Sequence, residues 1–178
     1  KDRPLHADAV TGFVVGVDRG RYRVLVDDGS STQQVTAMRA RELGRKGIVV
    51  GDRVGLVGDT SGAPGSLARI VRIHERSTVL RRTADDTDPV ERVIVANADQ
   101  LVIVSALANP EPRPRLIDRA LVAAYDAGLD PLLVLTKSDL RSPEDFLGQY
   151  APLDVPSVVT SSAAFDEGGL DLLLGHLR

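Results

Sequence analysis

Strand-length apolar runs alternate with helical patterns through the second half of the chain, and this alternation constrains the fold most. The run from Pro131 to Leu135 has no polar side chain. A helical period precedes it from Leu116 to Ala127, stopped by Gly128, and a helix start with a cap and a first-turn proline follows at Ser142–Asp145. This order of strands and helices predicts a doubly wound parallel sheet.

The other elements of this half are predicted by the same rules. The segment Arg76–Asp88 is polar and is predicted as a linker or loop. We interpret the apolar runs Val93–Val95 and Leu101–Val104 as buried strands. We predict a short strand at Val155–Thr160 and a last helix at Gly168–Leu174.

The tetrapeptide Thr136-Lys137-Ser138-Asp139 directly follows the central apolar run. Open α/β sheets bind ligands at the carboxyl ends of their strands, which is where this sequence predicts the tetrapeptide. A carboxylate only accepts hydrogen bonds, so Asp139 can accept from the ring N–H and the exocyclic amine of guanine together. Adenine offers no such pair of donors. We therefore interpret Thr136–Asp139 as a guanine-recognition loop, and the alternative is a polar turn that caps a buried strand.

Two further features support this interpretation. The chain has only three lysines, Lys1, Lys46 and Lys137, and a compact ammonium on a flexible stem can lie along a base and reach a neighbouring loop. One strand and one helix later, the small residues Ser161, Ser162 and Ala163 let the backbone approach a base closely. A backbone N–H there could donate to the guanine oxygen. Taken alone, these three residues favour an ordinary strand-to-loop turn.

The first half is predicted to be a small barrel. Turn signals such as Asp18-Arg19-Gly20 separate five short strands. Five strands with one longer connection are typical of an OB-type barrel, a fold that often carries oligonucleotide sites. The five predicted strands are Ala9–Val17, Tyr22–Val26, Gln34–Ala37, Ile48–Val57 and Leu67–Ile73.

Charge separates the two halves. Residues 1–82 hold 15 lysines and arginines against 9 acids, whereas residues 83–178 hold 7 against 16. A basic module favours a polyanionic partner. Aromatic residues make up only 3% of the chain, which favours contact with RNA phosphates over base stacking. The candidate RNA-binding residues are Arg19, Arg21, Arg23, Arg39, Arg41, Arg45 and Lys46, and the alternative is an ordinary solvated surface rich in arginine.

Several function classes are disfavoured by what the sequence lacks. It has no cysteine, and His6, His74 and His176 are far apart, so we predict no metal site. It has neither a membrane-length apolar run nor a signal-peptide pattern, so we expect a cytoplasmic protein. No Gly-x-x-x-x-Gly-Lys-Ser/Thr phosphate loop occurs anywhere in the sequence.

The joint order of these motifs resembles the RsgA/YjeQ-like family of circularly permuted GTPases that mature the small ribosomal subunit. In most GTPases the phosphate loop precedes the guanine loop, whereas no phosphate loop precedes it here. The resemblance implies an α+β multidomain chain, with an OB-type barrel over residues 1–78 and a partial, permuted GTPase-like α/β domain over residues 79–178. The barrel, Val95–Gln100, Leu116–Arg119, Thr136–Asp139 and Ser161–Ala163 are the features that define it.

The resemblance also implies a function. A complete protein would bind GTP or GDP with Mg²⁺, hydrolyse GTP, and dock its barrel on the rRNA of the small ribosomal subunit as a monomer without membrane contact. The phosphate loop, both switch regions and a zinc domain would follow Arg178, so we predict no catalytic residue and no hydrolysis in the stretch shown. Thr136, Arg53 and Ala164 depart from the residues usual in the family, which are Asn, an aromatic and Lys. A non-enzymatic RNA-binding assembly factor with an α/β scaffold remains the alternative.

Overall fold

The computed structural model describes residues 6–44, 47–82, 92–161 and 167–177. The chain divides into two compact units, Lys1–Ala98 and Asp99–Arg178. The domain boundary expected between residues 78 and 79 stays a prediction.

A closed five-stranded barrel forms the body of the first unit, which confirms the predicted OB-type barrel. The strands close in the order β1-β2-β3-β5-β4, and only the β3–β5 pair is parallel. Along β2, Tyr22 and Val24 are buried whereas Arg21 and Arg23 are exposed, as the two-residue period of a strand requires. The strands are β1 (Val10–Asp18), β2 (Arg21–Asp27), β3 (Thr32–Arg39), β4 (Arg53–Gly58) and β5 (Ala68–Ile73).

The fourth strand is shorter than predicted. We expected it over Ile48–Val57, but it begins only at Arg53, and Val50 forms a single bridge to Val95. The reason is a turn at Gly51, whose φ of 90° is outside the strand region. The next residue, Asp52, is fully buried and accepts the Val49 N–H on its carboxylate, which fixes this turn.

A two-stranded antiparallel sheet completes the first unit and corrects two predictions. Strand β6 (Val79–Arg82) lies inside the segment predicted as a linker, and it pairs with β7 (Arg92–Ala96). The rest of that predicted linker, residues 83–88, lies outside the described residues. Val93–Val95 is a strand as predicted, but Ile94 is 47% exposed, because β7 belongs to a two-stranded sheet and not to the parallel sheet.

The second unit is a three-stranded parallel sheet with its strands in the order β10-β9-β8. Strands and helices alternate along the chain, as the sequence predicted. Helix α1 ends at Gly128, whose left-handed conformation (φ 70°) lets its N–H bond back to the last turn. The elements are β8 (Gln100–Ala106), α1 (Pro114–Ala127), β9 (Asp130–Thr136), α2 (Glu144–Tyr150), β10 (Ser157–Val159) and α3 (Glu167–His176).

Strand β9 lies at the centre of this unit and is buried on both faces. Leu133 and Leu135 pack on one side against residues of α1 and α2, including Ile117 and Phe146. Leu132 and Val134 pack on the other side in a cluster with Leu173 of α3. Helices on both faces explain why Pro131–Leu135 is apolar throughout.

No helix among the described residues is both long and apolar enough to cross a membrane.

Candidate functional site

The predicted guanine loop lies directly at the carboxyl end of the buried central strand. Thr136 is the last residue of β9, and its carbonyl accepts the Leu107 N–H at 2.9 Å. Lys137 then adopts a left-handed conformation with φ of 61°, and its carbonyl accepts the Leu140 N–H at 3.0 Å. The chain therefore turns sharply as it leaves the sheet, and a strand buried on both faces fixes the position of this turn.

A hydrogen bond joins this loop to the second predicted base-binding segment. The Ser161 hydroxyl donates to Oδ1 of Asp139 at 2.6 Å, and Ser161 is only 8% exposed. Beside it, the Thr160 carbonyl accepts the Ser138 N–H at 3.3 Å. The structure thus brings Asp139 and Ser161 together, although 22 positions separate them in sequence. Ser162 and Ala163 lie outside the described residues.

These contacts position the Asp139 carboxylate and leave it able to accept further hydrogen bonds. The residue is exposed, and among the described residues no donor reaches its second oxygen, Oδ2. Each carboxylate oxygen has two acceptor sites, so Oδ1 also keeps one free site after accepting from Ser161. Both oxygens can therefore still accept hydrogen bonds from a ligand.

Lys137 and Arg141 connect the predicted guanine loop to the segment that follows β8. The Lys137 ammonium donates to the Asn109 carbonyl, and the Arg141 guanidinium donates to Oε2 of Glu111 at 2.6 Å. Sequence reasoning predicted that Lys137 would reach a neighbouring loop, but it did not identify Asn109 or Glu111. A backbone carbonyl acceptor leaves no sequence signal, so Asn109 could not have been found in this way.

The predicted RNA-binding arginines lie on the surface of the barrel. Arg19 occupies the turn between β1 and β2 with φ of 44°, and Arg21 and Arg23 point outward from β2. Arg39 ends β3, and Arg41 begins a short 3₁₀ turn; all five are exposed. Arg45 and Lys46 lie outside the described residues.

Base stacking on the nearest aromatic is excluded by its position. Tyr22 is only 7% exposed and belongs to the barrel core. A ring held there cannot present its face to a nucleobase. The exposed guanidinium groups on the same strand therefore fit phosphate contacts, which need charge and not an aromatic platform.

Metal binding has no candidate in the described part of the chain. No group of three or more histidine, aspartate or glutamate side chains is placed there to hold an ion.

Comparison with known proteins gives consistent matches over the whole chain. The family profile described as RsgA GTPase matches residues 73–173. A "Small ribosomal subunit biogenesis GTPase RsgA" from Gemmatimonas aurantiaca is 36% identical over 138 residues, which are 76% of this chain and 44% of that protein. One of the same name from Chlorobaculum parvum is 32% identical over 180 aligned positions, covering 96% of this chain and 57% of that protein. The chain spans about half the length of the curated relatives it matches.

Two solved structures share this fold. The structure titled "Crystal structure of YjeQ from Thermotoga maritima" superposes with a TM-score of 0.68 at 26% identity, covering 95% of this chain and 57% of that one. The structure of YloQ, described as a circularly permuted GTPase, gives the same TM-score at 23% identity and covers 100% of this chain and 60% of that one. At 23% identity, the second match bears on the fold alone.

Proposed function

Because the chain belongs to the RsgA GTPase family, we propose that it is the base-recognition and RNA-docking portion of a GTPase that matures the small ribosomal subunit. The complete protein binds GTP or GDP with Mg²⁺ and hydrolyses GTP. It acts as a cytoplasmic monomer on the small subunit. For this chain, the proposal assigns recognition of the guanine base and contact with the RNA backbone.

One observation supports the nucleotide assignment more than any other. The Asp139 carboxylate lies at the carboxyl end of a buried parallel strand, held on Oδ1 by Ser161 and with no donor to Oδ2 among the described residues. Ligands bind at this edge of open α/β sheets. A fixed acceptor with free capacity at this place suits a ligand that presents two adjacent donors.

Guanine is the purine base that fits this acceptor. Its ring N–H and exocyclic amine can both donate to Asp139, whereas adenine would place a ring acceptor against the carboxylate. A polar group that a bound ligand covers and leaves without a partner costs about 1–3 kcal/mol, and more when charged, so the mismatch produces selectivity. Lys137, held against the Asn109 carbonyl, presents its aliphatic stem beside the loop and can cover one face of the base.

Binding of three diphosphates to the full-length protein tests this assignment. GDP offers both donors, IDP lacks only the exocyclic amine, and ADP offers neither in the required arrangement. Loss of one hydrogen bond to a charged group costs about 1.5–3 kcal/mol, so IDP should bind about 10- to 150-fold more weakly than GDP. ADP should bind more weakly still. Equal affinities for GDP and ADP, measured by calorimetry, would contradict the assignment.

The 178-residue chain alone should bind GDP at least 100-fold more weakly than the full-length protein and should not hydrolyse GTP. Its sequence contains no phosphate loop, so it lacks the backbone cradle and the lysine that hold β and γ phosphates. Calorimetric titration of both proteins with GDP measures the difference. Tight binding by the short chain would show that phosphate contacts are unnecessary, against this part of the proposal.

For the barrel, we propose that the exposed arginines dock on ribosomal RNA through its phosphates. Arg21 and Arg23 lie side by side on the outer face of β2, and substitution of both by Gln should weaken binding to small subunits and flatten its salt dependence. The matched control replaces two other exposed arginines of the same unit, Arg53 and Arg81, by Gln. An equal loss in both double variants would indicate a general charge effect and no docking surface at β2.

A further inference from the structure

Three arginines of the second unit form a basic surface that the nucleotide site does not use. Arg113, Arg115 and Arg119 line an open concavity of about 690 Å³ together with Pro112, Pro114 and Leu116. All three arginines are exposed, and among the described residues none has an acidic or hydrogen-bonding partner for its side chain. We call this set the α1 arginine surface.

The surrounding charge makes this surface exceptional within its unit. Residues 99–178 contain 12 acids against 6 lysines and arginines, and half of those cations lie within positions 113–119. The one acid inside that stretch, Asp118, accepts the Tyr150 hydroxyl at 3.1 Å. Glu111, just before it, is paired with Arg141. Neither acid forms an ion pair with any of the three guanidinium groups.

Helix stability does not explain these arginines. Cations near the amino end of a helix are unfavourable because they oppose its dipole, yet Arg113 and Arg115 flank the start of α1, whose first turn has no acidic residue. A sequence that breaks a local rule without structural gain often marks a functional site. Backbone N–H groups at the start of α1 are already used or missing. Pro114 has no N–H, and the N–H groups of Leu116 and Ile117 donate to the Arg113 carbonyl.

Helix α1, which carries the α1 arginine surface, is packed against the sheet. Ile117, Leu121 and Ala124 bury the opposite side of α1 against the sheet. The preceding segment is held at Asn109 by Lys137 and at Glu111 by Arg141. The packing of α1 fixes the backbone positions from which Arg115 and Arg119 extend.

We propose that the α1 arginine surface is a second RNA-binding site, which contacts backbone phosphates of the small-subunit RNA. This inference rests on the proposed function, which supplies RNA as the partner. Guanidinium groups suit phosphates, and three of them along an open concavity match a chain of phosphates better than a single small anion. An acidic unit joined to an RNA-docked barrel is repelled by the RNA, and a local cationic contact offsets part of that repulsion.

The test compares two triple variants of the full-length protein for binding to protein-free small-subunit RNA over a range of salt concentrations. Replacing Arg113, Arg115 and Arg119 together by Gln should lower the affinity about tenfold or more near 0.15 M salt. It should also reduce the slope of log K against log salt by about 2, because three phosphate contacts are lost. The triple Lys variant keeps the charges and should retain most of the affinity and the slope. GDP affinity without RNA should not change in either variant.

Three outcomes would overturn the inference. One is an unchanged slope in the Gln variant, which would show that no phosphate contact was lost. Another is an equal loss of affinity in the Lys variant, which would indicate damage to the helix. The third is a loss on intact small subunits but not on protein-free RNA, which would make a ribosomal protein the partner. The barrel variant at Arg21 and Arg23, measured in parallel, separates failure of this site from failure of RNA docking as a whole.

Discussion

The ion pair between Asp52 and Arg76 should be the most sensitive point in the first unit. The Asp52 side chain is 0% exposed and that of Arg76 is 22% exposed. The guanidinium donates to both carboxylate oxygens, at 2.7 Å from Nε and 2.9 Å from Nη2. The same Nη2 also donates to the Gly47 carbonyl at 2.9 Å. The hydrogen bonds to the Asp52 carboxylate raise the pKa of Arg76 above its usual value.

Replacing Arg76 by Met should destabilise the barrel by about 3 kcal/mol. Removing one partner of a buried pair costs about 3–5 kcal/mol because the other charge stays buried. We expect the low end of this range, since the exposed fraction of Arg76 lets water approach. The Val49 N–H remains as a donor to Asp52 at 2.8 Å and limits the loss further.

Hydrogen exchange measures this effect in each unit separately, which matters because a two-unit chain need not unfold in one step. Amides of β4 and β5 should exchange roughly 150-fold faster in Arg76→Met, the factor that corresponds to about 3 kcal/mol. Amides of β8 and β9 should be unaffected. The matched control is Arg53→Met, an exposed arginine next to Asp52, for which we expect less than about 0.5 kcal/mol. Similar changes in both variants would refute the reasoning.

Three further predictions follow from individual contacts. Ser161→Ala removes the hydroxyl that holds Asp139 and should weaken GDP binding to the full-length protein by about 3- to 12-fold, as measured by calorimetry. The control Ser157→Ala, at an exposed position, should leave GDP binding unchanged. Equal GDP affinities of the two variants would contradict the prediction. Gly51→Ala should lower thermal stability by at least about 2 kcal/mol, since its Cβ would lie 1.8 Å from the Ala96 carbonyl oxygen; an unchanged Tm would refute this. Burial and Asp118 raise the pKa of Tyr150 to about 12, so its contribution to stability is complete below pH 10 and is lost as pH rises toward 12. Spectrophotometric titration should show a lower pKa in Asp118→Asn.

Local signals explain why most of the fold could be predicted from the sequence. The barrel strands alternate with a period of two between glycine-containing turns, and both features are read from neighbouring residues. Helix α1 has a clear apolar period and a stop at Gly128. The central strand was recognisable because a strand covered on both faces needs an unbroken apolar run, which Pro131–Leu135 supplies.

Pairing between distant segments explains what could not be predicted. Strand β6 has only four residues, two of them arginines, and it pairs with β7 across residues 83–91 of the sequence. The predicted start of β4 at Ile48 was wrong for a similar reason. The buried pair of Asp52 with Arg76 fixes the turn before Arg53, and charged residues ordinarily indicate a surface.

The candidate site shows the same division between local and distant information. The position of Asp139 after an apolar run was readable from the sequence, because its meaning depends on adjacent residues. The hydrogen bond from Ser161 to Asp139 depends on the register of two parallel strands, in which Val159 lies beside Leu135. Local pattern does not encode that register, so the sequence suggested the association of the two segments without the atoms that join them.

The substitution Asp139→Asn in the full-length protein tests guanine recognition most directly. An amide replaces one acceptor oxygen with a donor, so it opposes the guanine amine but complements the carbonyl that xanthine carries at that position. The account predicts that GDP affinity falls about 100-fold or more while XDP affinity rises, with the exposed Asp126→Asn variant binding both as the parent does. An unchanged preference for GDP over XDP in Asp139→Asn would contradict it.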